Sequence, residues 1–227
     1  MEIIQQLRKH RRLELTLLLM ASCFLSFGLI VFRVMLTHQL KFIFLIWNLF
    51  LAFIPFFIAN WLYLFREGFN RFTVLPAIGM WLLFFPNAPY ILTDIIHLHP
   101  SKELNYWYSL LIIISCAWNA LIMGLLSLSD IQHVVEDKFG KTAGWVLVVS
   151  SVFLGAFGIY IGRILRWNSW DLFFDTKDLI YDLGERINDP SSHGRTFGIT
   201  IFYGIFLLTI YLFFRHLMIR RETPLNT

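Results

Sequence analysis

The chain has 227 residues, of which 57% are hydrophobic and only 15% charged, with a formal net charge of +4. A water-soluble domain carries about a quarter charged residues, so this composition excludes an ordinary soluble enzyme and points to a protein that crosses a membrane several times. The small positive charge suits the loops of a membrane protein and gives no reason to expect nucleic acid as a partner. Two cysteines, Cys23 and Cys116, both lie in apolar runs, where they read as small buried side chains and offer no disulfide framework.

Taken in chain order, residues 1–12 hold Arg8, Lys9, Arg11 and Arg12 ahead of an apolar run over 13–32. That run is long enough to span a bilayer and lacks an A-x-A cleavage site, so it is expected to be a retained first helix. Further spans are expected at 40–64, 72–92, 106–128, 144–165 and 196–217. The fold class is thus an all-α bundle of six transmembrane helices in one domain. With the N-terminus inside, the segments on that side hold eleven Lys and Arg and the opposite side eight. This bias favours both termini in the cytoplasm. Whatever the orientation, parity puts the segment after span three on the same side as the segment after span five.

The third span is interrupted. Pro86 and Pro89 flank Asn87, and Asp94 and His97 follow three residues apart. Proline removes a backbone donor and clashes with the preceding turn, so a kink or break is expected there. If a new turn starts at Asn87 or Ala88, its free N–H groups make a half-helix end suited to an anion. Tyr90, Asp94 and His97 then share one helical face. Asp94 can hold the His97 imidazole as a general base, or the two can ligate a divalent metal, with His99 as a further donor. The plainer reading is a kinked helix with two polar residues at the water interface.

Span five carries Ser151, Gly155, Gly158 and Gly162 on one stripe, which lets another helix approach closely. Arg166 continues that stripe and Arg163 lies one turn earlier. These arginines either snorkel at the helix end or clamp a phosphate or carboxylate, together with Asn168 and Asp171. Trp167 and Trp170 suit an interfacial belt equally well. Asn48 and Asn119 lie deep in apolar runs, where interhelical hydrogen bonding accounts for them and a role in a cavity is the alternative. Asp130 and His133 repeat the Asp-x-x-His spacing but read as loop residues on the other side. In segment 166–195, Leu179, Ile180, Leu183 and Ile187 recur at helical spacing, predicting a short amphipathic helix that lies on the membrane surface or covers the cavity.

The string Phe85-Pro-Asn-Ala-Pro-Tyr-Ile-Leu-Thr-Asp-Ile-Ile-His97, the earlier Trp47-Asn-Leu-Phe, and Gly158-Ile-Tyr-Ile-Gly-Arg163 running into Arg166-Trp-Asn-Ser-Trp-Asp-Leu172 carry a resemblance. Over about residues 40–215 the chain resembles a bacterial family of multi-pass membrane proteins catalogued as "domain of unknown function 1361". The resemblance implies a helical membrane domain and an acidic residue where this chain has Ser109. It implies no activity. Two functions are therefore carried forward. One is a membrane enzyme with Asp94 and His97 as catalytic groups and Asn87, Tyr90, Arg163, Arg166, Asn168 and Asp171 holding an anionic lipid or envelope precursor. The other is a non-catalytic transporter or accessory subunit that binds a small anion or a partner.

Overall fold

A computed structural model of the chain describes residue 5 and residues 12–98, 104–167, 174–188 and 194–222. The described elements are helical. In order they are α1 (Leu13–Thr37), α2 (Phe44–Leu64), a 3-10 turn (Arg66–Gly68), α3 (Arg71–Phe84), a short α4 (Asn87–Tyr90) and a 3-10 segment (Ile91–His97). Then follow α5 (Leu104–Phe139), α6 (Lys141–Tyr160), a π turn (Ile161–Leu165), α7 (Thr176–Asn188) and α8 (Gly194–Glu222). Six helical stretches are long and apolar enough to cross a membrane, in agreement with the expected all-α bundle. Much of the outer surface is apolar, with Leu18, Phe24, Phe72 and Phe202 each more than two-thirds exposed. Such a surface suits lipid as its solvent.

The chain divides into two compact units, Met1–Val134 and Val135–Thr227, which are described separately. In the first unit, α1 and α5 run antiparallel along a seam of polar contacts. Arg33 Nη1 donates to Ser109 Oγ at 2.5 Å, and Tyr108 Oη to the Leu29 carbonyl at 2.9 Å. Further along, Ser26 and Ser115 share a hydrogen bond at 2.5 Å. Asn119 Nδ2 donates to Ser26 Oγ at 2.8 Å and to the Ser22 carbonyl at 3.1 Å. The seam ends where Arg12 Nη1 meets Asp130 Oδ1 at 2.5 Å. Neutral hydroxyls and an amide occupy the middle, and charge appears only toward the ends, as the cost of a charge at membrane depth requires. Asn119 therefore has the interhelical role expected of it.

Local sequence sets the helix ends. Asn70 caps α3 through its side-chain oxygen, which accepts from the Phe72 and Thr73 N–H groups, while Thr73 Oγ1 accepts from the Asn70 N–H. α1 stops at His38, whose backbone turns left-handed (φ 52°). Between α5 and α6 the only break is Gly140, at φ 93°, a conformation that glycine takes without a Cβ penalty.

Two expectations are corrected here. α5 continues to Phe139, so Asp130 and His133 are helical residues rather than loop residues, and Asp130 is fully buried. The apolar run ends near Leu128, but Arg12 pairs with the buried carboxylate and no breaker precedes Gly140. Spans one and six also extend beyond the expected 13–32 and 196–217, to Thr37 and at least Met218.

In the second unit α6 packs on α8 at close range. A Cβ at Gly204 would sit 2.6 Å from the Phe153 ring. Ser151 and Gly155 are buried, as expected of the small-residue stripe. The π turn widens the helix after Tyr160, and Arg166 adopts a left-handed conformation (φ 65°). Arg166 has thus left the helical register, which corrects its placement on that stripe. Trp167 Nε1 donates to Asp182 Oδ2 at 2.9 Å, fastening the predicted helix α7 to the end of the π turn.

The core of the first unit gathers on α4 and the start of the 3-10 segment, where Ala88 and Ile91 pack with Leu45 and Ala52 of α2 and with Ile113, Cys116 and Ala120 of α5. Gly124 permits this approach, because a Cβ there would lie 3.0 Å from Ala88 Cβ. Gly124→Val is expected to lower stability by about 1–3 kcal/mol through overpacking. Gly28→Val is the matched control, since no described atom lies within 4 Å of the corresponding Cβ position. Thermal unfolding in detergent measures both.

Candidate functional site

The site grows out of the proline interruption. Pro86 and Pro89 lack N–H groups, so the carbonyls of α3 lose helical donors. The chain stays right-handed through Phe85 and Pro86, and tightens. The Ala88 N–H donates to the Phe85 carbonyl and the Tyr90 N–H to the Pro86 carbonyl, each at 3.1 Å. Asn87 Nδ2 turns back to the Phe84 carbonyl at 3.0 Å.

Asn87 thus repairs the end of α3. The half-helix end expected at Asn87 or Ala88 does not form. Its N–H groups are either absent at proline or already bonded at Ala88 and Tyr90, and α4 is only 4 residues long.

From Ile91 the backbone is 3-10, with three residues per turn, so positions three apart eclipse. Asp94 and His97 fall on one stripe with Ile91. Tyr90, four residues before Asp94, is turned about a third of a circle away by the same geometry. This corrects its expected place beside them. Ile95 and Ile96 point outward and are more than half exposed.

Asp94 is 1% exposed. Asn48 Nδ2 of α2 donates to its Oδ2 at 3.0 Å. The other oxygen, Oδ1, lies 3.9 Å from His97 Nε2, which is ion-pair distance and longer than a hydrogen bond. The His97 side chain is 45% exposed and its ring meets Phe44 edge-on, with centroids 5.3 Å apart. Phe44 and Asn48 are one helical turn apart on α2, so a single helix face holds both members of the pair. The arrangement is an enclosed carboxylate behind a half-exposed imidazole. It can take up a proton on the ring and balance the charge from behind.

Asn48 is the residue that sequence reasoning underweighted. Its signal was an amide deep in an apolar run, and its partner lies 46 positions away.

Two cations stand close to this aromatic platform. Arg33 and Lys41 lie over the Phe42 ring at 4.6 and 5.6 Å from its centroid, and Phe42 and Phe44 are 6.3 Å apart. Arg33 is buried and its hydrogen bond goes to Ser109, the position where the resemblance implies an acid.

Arg163 and Arg166 belong to the second unit. Arg163 lies in the π turn and Arg166 is exposed just after it. Asn168, Asp171 and His99 fall outside the described residues. Among the described residues no three His, Cys, Asp or Glu side chains form a group that could hold a metal, so Asp94 and His97 alone offer two donors.

Asn48→Leu removes the buried hydrogen bond to Asp94 and is expected to cost about 1–3 kcal/mol of stability, because it leaves a carboxyl oxygen unsatisfied. Thermal unfolding in detergent, with Trp47→Leu as a neighbouring control, measures the difference.

No match was found among curated proteins, and none among solved structures. A family model described as "Protein of unknown function (DUF1361)" matches residues 47–210, a range that contains Asn48, the proline interruption, Asp94, His97 and the π turn. Six membrane-length helices and this match over most of the chain lead to one conclusion: the protein belongs to the DUF1361 family.

Proposed function

We propose that the protein is a membrane enzyme of a bacterial cytoplasmic membrane, with both termini inside. Its site lies at the outer face and acts on an amphiphile with an anionic group, such as a lipid or envelope precursor. His97 takes a proton from an attacking hydroxyl or water and returns it to the leaving group. Asp94 balances the imidazolium charge, and Asn48 holds Asp94.

The observation that carries this reading is the burial of Asp94 behind a half-exposed histidine. A carboxylate enclosed in a membrane protein is costly, and ionisable residues at such depth are characteristically functional. Lys41 and Arg33 beside Phe42 supply positive charge in the same unit for the anionic group, and the Phe42–Phe44 platform supplies apolar contact. These first-unit cations take the role that the sequence suggested for Arg163 and Arg166. A divalent metal on Asp94 and His97 would serve the same reaction by polarising the bond that breaks.

The second reading, a transporter or accessory subunit that binds a small anion, rested partly on a half-helix end at Asn87. The Ala88 and Tyr90 N–H groups are already bonded there, so this reading rests on the small-residue stripe of span five and on the cations.

Single variants His97→Ala, Asp94→Ala and Lys41→Ala test the proposal. Each is scored for folding by thermal unfolding and for function by rescue of a deletion strain. His97→Ala is expected to fold, because the ring is half exposed, and to lose activity by at least about 100-fold, the scale of general acid–base catalysis. Folded His97→Ala and Asp94→Ala proteins that rescue fully would remove the enzyme reading. Stoichiometric zinc or manganese that is present in the wild type and lost in His97→Ala would assign the pair to metal binding.

A further inference from the structure

One face of α8 carries a groove of about 610 Å³, lined by Arg195, Gly198, Ile199, Phe202, Tyr203 and Phe206. These positions follow one another at steps of three and four residues, so they share one stripe of the helix. Gly204, Leu207 and Tyr211 form the buried side of α8, where Gly204 meets Phe153 of α6, so the groove does not belong to that packing.

Gly198 makes room in the groove. It leaves a gap between Arg195 and Phe202, and a Cβ there would meet no described atom within 4 Å. Phe202 and Phe206 are at least half exposed and supply apolar contact along the stripe. α8 rises about 1.5 Å per residue, so the distance from Arg195 to Phe206 is about 16 Å, half of the ~30 Å apolar core of a bilayer. The stripe is therefore as long as one leaflet is deep.

The cation stands at one end. α8 begins at Gly194, as does the sixth membrane-length stretch, so Arg195 lies where the apolar core meets the headgroups. Helical side chains lean toward the N-terminus, which carries the guanidinium away from the core. Arg195 is exposed, the first turn holds no acidic residue, and among the described residues nothing pairs with Arg195. The positive end of the helix dipole adds to its charge.

We propose that this groove binds a phospholipid with an anionic headgroup. One acyl chain lies along Gly198, Ile199, Phe202 and Phe206, and the headgroup meets Arg195. A guanidinium fork fits phosphate oxygens through paired hydrogen bonds. An apolar stripe one leaflet long, with its cation only at the boundary, matches an amphiphile divided in the same way. A second copy of the chain does not fit this pattern. Two copies inserted in one orientation run parallel, and a two-fold interface along this stripe would set Arg195 against Arg195. The inference is independent of the enzyme reading, because it uses none of the residues around Asp94.

The test is native mass spectrometry and thermal unfolding of the full chain in neutral detergent, with phosphatidylglycerol or phosphatidylcholine added. Wild type is expected to retain phosphatidylglycerol over phosphatidylcholine and to unfold at a higher temperature with it. Arg195→Gln is expected to weaken phosphatidylglycerol retention about fivefold, the scale of one basic residue at an anionic lipid surface, and to leave phosphatidylcholine retention unchanged. Gly198→Leu places its side chain in open space, so it is expected to fold and to weaken retention of both lipids. Arg195 is exposed, so Arg195→Gln decides the matter even if Gly198→Leu fails to fold. The proposal is overturned if wild type retains the two lipids alike, or if either folded variant retains phosphatidylglycerol as wild type does. A two-chain species that Gly198→Leu abolishes would also overturn it, by assigning the groove to a second copy.

Discussion

Asp94 is a carboxylate with 1% exposure inside a membrane-length helical bundle, and the first unit is arranged around keeping it there. A buried carboxyl oxygen left without a hydrogen-bond partner costs about 1–3 kcal/mol, and the bond from Asn48 removes that cost. The bond also dictates backbone choices. α2 must lie against the segment after α4, and the chain must wind tightly enough to bring Asp94 and His97 onto one stripe. The double proline makes that winding available, because it breaks the α-helical ladder and lets 3-10 bonds take over from Ile91.

The same economy of polar groups runs along α1 and α5. Each seam contact is worth about 0.6–2 kcal/mol in a membrane, so the seam sets register more than it drives folding. Its grading with depth is informative. Ser22, Ser26, Ser115 and Asn119 meet in the middle, whereas Arg33 and the Arg12–Asp130 pair stand toward the ends. Asp130 is enclosed at the end of the seam, where Arg12 is its partner.

Much of the fold was legible because hydropathy reports it directly: six apolar runs became six membrane-length helices. The end of α5 was not legible. Asp130, His133 and Glu136 look like a loop when read as a string, and only the distant partner Arg12 and the lone breaker Gly140 explain why the helix continues. At the site, the Asp94–His97 spacing was visible, since three residues bring side chains together in either kind of helix. The fates of Asn87 and Tyr90 were hidden, because they depend on 3-10 rather than α winding after the prolines. Asn48 was visible as an oddity and invisible as a partner, since no local pattern links positions 46 apart.

The most direct test of this account is a double-mutant cycle between Asn48 and Asp94, read as unfolding free energy in one detergent. Asn48→Ala, Asp94→Ala and the double variant are compared with wild type. Two groups that share a buried hydrogen bond should couple by about 0.5–3 kcal/mol, with the double variant less destabilised than the sum of the singles. Additivity within about 0.3–0.5 kcal/mol would contradict the account, because it would mean that Asn48 does not hold the carboxylate on which the site is built.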